Sequence, residues 1–161
     1  MPIDKKIQIV HAMSALTHAH IRSKIGCGIY AFVLWELLKN PSIESVKIGL
    51  EEAANFYKGQ PELIHYNRLF EKTFIITPRN AIKSGAYIVH TLEAAVWCLL
   101  TTNGYKSAVL KAVNLGDDTD TVAAVAGGLA GALYGYDVIP VEWRDVLLKR
   151  DYIEKLCKNM L

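Results

Sequence analysis

The segment Asn114–Gly135, NLGDDTDTVAAVAGGLAGALYG, places Asp117, Asp118 and Asp120 within four residues, interleaved with Thr119 and Thr121. A run of almost only Ala, Gly, Val and Leu follows. Two chemistries suit such a cluster. Asp and Thr are favoured N-cap residues, and acids at a helix start interact well with the macrodipole. Yet a helix start has only a few free N–H groups to satisfy, and three acids with two threonines exceed that need. Crowded carboxylates repel one another, and a hard cation such as Mg²⁺, which takes carboxylate and hydroxyl oxygens and keeps several waters, relieves that repulsion. Asp118 and Asp120 on a turn, with the Thr121 hydroxyl beside them, would offer such a set. On a regular helix the two acids point apart, so a metal site here requires a non-helical turn before the helix. The EF-hand pattern is not met, since neither its central Gly nor its closing Glu is in place. The spacing leaves capping and metal binding both open.

The elements that must hold this turn read as helices nearly throughout. Ile7, Val10, His11 and Ser14 follow three-to-four spacing, and Ile21 to Leu38 is a long apolar helix interrupted by Gly26 and Gly28. Asn40 suits an N-cap and Pro41 the first position of the next helix, which runs through SIESVKIGLEEAANFY and stops at Gly59. Pro61 to Phe70 predicts a short helix and residues 73–87 a substantial loop. Helices resume at His90–Leu100, Lys106–Val113, Asp120–Tyr134 and near the C-terminus. No stretch alternates with period two and no linker divides the chain, so residues 1–161 are expected to form one all-α domain. Gly127, Gly131 and Gly135 recur every fourth residue, which predicts a bare stripe for close backbone approach on a buried central helix.

Composition narrows the function classes. With 52% hydrophobic and 21% charged residues the chain is globular in character rather than disordered. The 18 basic residues are scattered and the formal charge is +2, which gives no support to nucleic-acid binding. Cys27, Cys98 and Cys157 are far apart and form no CxxC pair, as suits a reduced cytoplasmic protein. Lys5-Lys6 before IQIVHAMSALTHA imitates a signal peptide, but Gln8 and His11 interrupt its apolar core. The apolar run Val122–Tyr134 falls short of the ~20 residues that span a bilayer, so no membrane partner is expected.

GDDTDT and the Gly/Ala helix after it resemble the ADP-ribosylglycohydrolase family, which includes the dinitrogenase-reductase-activating glycohydrolases. SGAYIVHTLEAAVWCLLTTNGYKSAVLKAVNLGDDTDTVAAVAGGLAGALYG, residues 84–135, resembles the family's C-terminal hallmark in order and spacing. IPVEW (Ile139–Trp143) and SALTHAH (Ser14–His20) extend the resemblance. It implies an orthogonal all-α bundle with a binuclear Mg²⁺ or Mn²⁺ centre that hydrolyses the glycosidic bond between ADP-ribose and a protein side chain or small molecule. By that resemblance Asp118, Asp120 and Thr121 are metal ligands, while Asp117, at a position often Gly in the family, has no ligand role. His18 resembles the histidine that lines the ADP-ribose cleft; its alternative is a histidine satisfied in a helix interface. Tyr87 resembles a residue that contacts the ligand.

The glycine-rich acidic segment and the Thr-Asp-Asp motif that open the family's domain have no counterpart here, so the chain is expected to correspond to its C-terminal half. On that footing no residue is assigned the general acid or base, and at most one divalent cation is expected with this chain alone. The stripe on the last long helix and the helix bearing Trp97 are expected to leave apolar surface for a partner. That partner would be a second copy or an N-terminal-half polypeptide. Three functions follow: a hydrolase of ADP-ribosylated substrates in truncated or split form, an inactive ADP-ribose-binding module, or a crystallin-like structural protein.

Overall fold

A computed structural model describes the backbone of residues 1–160 and the side chains of residues 1–159. Every regular element among them is helical: α1 (Ile3–Ala15), α2 (Ile21–Lys39), α3 (Ile43–Phe56), α4 (Ile88–Leu100), α5 (Tyr105–Val113), α6 (Thr119–Tyr134), α7 (Val141–Asp145) and α8 (Arg150–Met160). Three 3₁₀ segments, Pro61–Phe70, Phe74–Ile76 and Arg79–Ala81, lie between α3 and α4. The all-α expectation therefore stands. The amphipathic first helix stands too, with Ile7 and Ser14 buried and Val10 and His11 half-buried.

The core is built on α2 and α4. In α4 every residue from Thr91 to Leu99 is buried, as follows from a helix apolar on all sides. α2 packs on α1, α3, α4 and α6, and α6 packs on α4 and α5. α2 and α3 approach closely at Gly49, where an added Cβ would lie 2.6 Å from the Val33 Cα.

Two local expectations are corrected and two are refined. Asn40 does not cap α3: its N–H closes α2 on the Glu36 carbonyl, and Ser42 takes the N-cap, its Oγ accepting from the Ser45 N–H at 3.2 Å. The short helix expected at Pro61–Phe70 is present and winds as 3₁₀, its inward residues Leu63, Tyr66 and Leu69 repeating every third position, the period of that helix. Residues 73–87 hold two 3₁₀ turns. The glycine stripe on α6 admits no neighbouring backbone. Gly135 has φ +89° and ends the helix, while Gly127 and Gly131 face the Tyr105 side chain. The close approach is at Gly128 instead, where a Cβ would meet the Tyr30 hydroxyl at 2.4 Å.

Nor does the Trp97 helix leave its apolar face for a partner. Trp97 is buried within this chain, its Nε1–H donating to the Thr77 carbonyl at 3.0 Å and the Lys111 Nζ sitting 3.9 Å from its ring centre. Among the described residues no helix is long and apolar enough to cross a membrane.

Candidate functional site

The acidic turn sits where α5 gives way to α6. Gly116 at φ +92° and Asp117 at φ +54° swing the backbone through the left-handed region, which Gly adopts freely and Asp tolerates. This reversal supplies the non-helical turn that the aspartates require. Asp118 then occupies the N-cap position at φ −87°, ψ 68°, and α6 begins at Thr119.

The capping reading fails for Asp118, whose side chain accepts no cap hydrogen bond. Its carboxyl instead lies within hydrogen-bonding reach of Asp120. The Asp120 carboxyl is held below the ordinary carboxylate range, first by the hydrogen bond from Asp118 and then by the backbone N–H groups of Thr121 and of Asp120 itself. Asp120 and Thr121 are exposed and Asp118 half-buried, so oxygen donors of three side chains stand at one solvent-facing turn. That donor set suits one face of a hard cation's shell. Among the described residues no group of three or more His, Cys, Asp or Glu gathers to complete it.

The turn is fastened to the segment before α4. The Asp118 N–H donates to the Ser84 carbonyl at 3.1 Å, and Ser84 is buried. Three residues on, Tyr87 opens α4 as its N-cap residue. The exposed Tyr87 ring stands edge-on to His90, centroids 4.9 Å apart at 86°, and its hydroxyl accepts from the Arg22 Nη1 at 2.9 Å. Burial, followed by the nearby Lys83 charge, pushes the His90 imidazole below its usual pKa.

His18 lies in the link between α1 and α2. Its N–H donates to the Ser14 carbonyl at 2.8 Å, its own carbonyl accepts from the Ser14 Oγ at 3.2 Å, and its Nδ1 meets the Thr17 hydroxyl at 3.0 Å. The side chain is exposed, so the helix-interface alternative does not hold.

A groove of about 610 Å³ joins these elements. Its wall includes Thr17, next to His18; Ile88, next to Tyr87; and Val125, one turn beyond Thr121 on α6. The three carriers of the sequence-predicted residues thus open onto one apolar cleft, although none of those residues is itself on its wall. A larger hollow of about 820 Å³, among Glu44, Lys47, Leu69 and Phe74, holds none of them. Arg22 and His90, which stand against Tyr87, were not legible as site residues. Their partners lie far off in the sequence or in a loop, and neither belongs to a motif.

The sequence profile described as ADP-ribosylglycohydrolase matches residues 2–161. The chain is similar to "ADP-ribosylarginine hydrolase Tri1" of Serratia proteamaculans (strain 568), 35% identical over 149 residues, which are 92% of this chain and 38% of that protein. It is also similar to "ADP-ribosyl-[dinitrogen reductase] glycohydrolase" of Rhodospirillum rubrum, 33% identical over 134 residues, 83% of this chain and 40% of that protein. Among solved structures, "ADP-ribosylglycohydrolase-related protein complex" superimposes with a TM-score of 0.79 at 29% identity, covering 93% of this chain and 50% of that one. The chain spans about two fifths of the length of the curated relatives it matches.

Proposed function

The chain belongs to the ADP-ribosylglycohydrolase family, and from that membership we propose that it serves the metal-dependent hydrolysis of ADP-ribosyl glycosidic linkages. The observation that carries this reading is the acidic turn. The Asp118 carboxyl caps nothing and stands at the mouth of α6 with Asp120 and the Thr121 hydroxyl in the helix's first turn. Asp118, Asp120 and Thr121 would hold a single Mg²⁺ or Mn²⁺, which when bound supplies Lewis acidity and orients a sugar hydroxyl or water. The chain's own residues do the rest of the binding. The Tyr87 phenol and the His18 imidazole, both exposed on elements that border the cleft, offer a flat face and polar edges to an ADP-ribose moiety. The ADP-ribosylarginine and ADP-ribosyl-dinitrogen-reductase hydrolases it resembles make an ADP-ribosylated protein the substrate class.

The decisive measurement is Mg²⁺-dependent release of ADP-ribose from an ADP-ribosylated arginine peptide, with Asp118→Asn as control. Turnover by the chain that the substitution abolishes supports the reading.

A second reading, an ADP-ribose-binding module without turnover, is favoured by one observation: among the described residues no further carboxylate gathers at the turn. ADP-ribose binding with no release of product would select it. No response to ADP-ribose or to metal would leave the structural, crystallin-like role.

A protein partner also belongs to the proposal. Ile9, Met13 and Leu16 are exposed on the α1 side of the cleft, and Ile9 and Met13 line it. A second copy, or a polypeptide carrying the family's N-terminal half, would cover them; a strictly monomeric species in sedimentation at high concentration would rule out the dimer. The three free thiols, Cys27, Cys98 and Cys157, support a reducing, cytoplasmic setting.

A further inference from the structure

We infer that Arg22 is a positioning residue for ligand binding, one that holds the Tyr87 phenol in a fixed orientation with its hydroxyl proton turned toward the ligand. The inference rests on the ADP-ribose reading of Tyr87 given above.

Arg22 stands in the first turn of α2 and spends its whole guanidinium on three partners from other elements. Its Nε donates to the Glu62 Oε2 at 2.7 Å, its Nη2 to the His65 Nε2 at 2.7 Å, and its Nη1 to the Tyr87 hydroxyl at 2.9 Å. Nη2 also lies 2.6 Å from the Glu62 Oε2, which fixes the plane of the fork. The place of Arg22 is set from behind, because the buried Tyr66 hydroxyl donates to the Arg22 carbonyl at 2.9 Å. Such a fork is planar and can only donate. His65 therefore accepts through Nε2, and the Tyr87 oxygen accepts rather than donates.

That last point fixes the chemistry of Tyr87. With its oxygen already accepting from a cation, the phenol's own proton has no partner in this contact and is free to be given to an acceptor on a bound molecule. The ring is held on two sides, by the Arg22 guanidinium 5.7 Å from its centre and by the edge-on His90. Tyr87 also closes a short segment, Ser84–Tyr87, whose other end is tied to the acidic turn by the Asp118 N–H. Arg22 and Asp118 thus clamp the two ends of four residues, so freeing one end loosens the register between Tyr87 and the acidic turn.

The test uses the full chain and ADP-ribose in the presence of Mg²⁺. Affinity would be measured calorimetrically for Arg22→Ala, Arg22→Lys, Tyr87→Phe and the Arg22→Ala/Tyr87→Phe pair. Expected are about tenfold weaker binding for Arg22→Ala and for Tyr87→Phe, and a double variant within about twofold of either single one, because the two residues act as a unit. Arg22→Lys, which keeps the charge but not the fork, should weaken binding about threefold and serves in its place if Arg22→Ala does not fold. The ring ¹³C resonances of Tyr87 give a second readout: one ordered environment in the wild type, motional averaging in the Arg22 variants. Unchanged affinity or an unchanged ring signal in those variants overturns the inference and leaves the ADP-ribose reading intact. Failure of the wild-type chain to bind ADP-ribose overturns both.

Discussion

The backbone N–H of Asp118 donates to the carbonyl of Ser84 at 3.1 Å, across 34 positions of sequence. This one bond ties the turn that gathers the acids to the segment that delivers Tyr87. The Asp118 side chain caps none of the helix N–H groups, and that can be tested.

Replacing Asp118 by Ala should leave folding stability nearly unchanged, within about 0.5 kcal/mol, whereas losing a working N-cap costs ~1 kcal/mol. The same change, or Asp118→Asn, should weaken Mn²⁺ binding at least tenfold. Urea unfolding and calorimetric titration read the two effects separately. A stability loss of 1 kcal/mol or more would restore the capping role.

Stability should fall as the pH drops below about 6.5. Burial, then the Lys24 charge, pushes the His11 imidazole below its usual pKa, while its Nε2 meets the Tyr57 hydroxyl at 2.8 Å. His90 is lowered as well, by burial first and then by Lys83. For a base whose folded pKa is depressed, the unfolded chain binds more protons between the two pKa values, so stability rises with pH through that window. Urea midpoints at pH 7.5 and 5.5 should show the loss. His11→Asn should remove part of it and His11→Asn/His90→Asn most of it.

The glycines of α3 and α6 should respond in opposite directions to alanine. At Gly49 the added Cβ meets the Val33 backbone at 2.6 Å, which only a shift of whole helices relieves, and about 2–3 kcal/mol should be lost. At Gly131 the nearest outside atom, on Tyr105, is 4.0 Å away, so helix propensity decides and up to about 1 kcal/mol should be gained. Urea unfolding of Gly49→Ala and Gly131→Ala checks both signs.

Removing Arg68 should cost about 3 kcal/mol. Its Nη2 lies 2.5 Å from the buried Glu93 carboxylate, and Nη1 holds the Ala81 carbonyl at 2.9 Å. Arg68→Met strands a charge inside α4. The figure stays at the low end of such losses because the arginine is itself a third exposed. The Arg68→Met/Glu93→Met pair should recover much of the loss, and a double variant no more stable than the single one would refute this account.

Much of the framework was legible because helical periodicity is written locally. The apolar content of α4, the spacing of Ile7 and Ser14, and the crowding of Asp117, Asp118 and Asp120 each lie within a short window of sequence. The acidic turn was legible for the same reason. What was not legible depends on partners brought from afar. Gly128 rather than Gly127 receives a neighbour because Tyr30 arrives from α2. Trp97 is enclosed by Thr77 and Lys111, which no window around it contains. Arg22 acquires its meaning from Glu62, His65 and Tyr87, up to 65 positions away. The choice of Ser42 over Asn40 as cap turned on which residue α2 had already used.

The enclosure of Trp97 gives the molecule a spectroscopic marker of its own. An ammonium close over an indole ring, with the ring nitrogen bonded to a carbonyl from another segment, sets an emission colour that exists only while α4, α5 and the Phe74–Ile76 turn are docked together. Trp35 and Trp143, each only partly buried, contribute a more solvent-like signal. The Trp97 component of intrinsic fluorescence therefore reports the central assembly, and following it during refolding would time the moment at which the scaffold behind the acidic turn becomes whole.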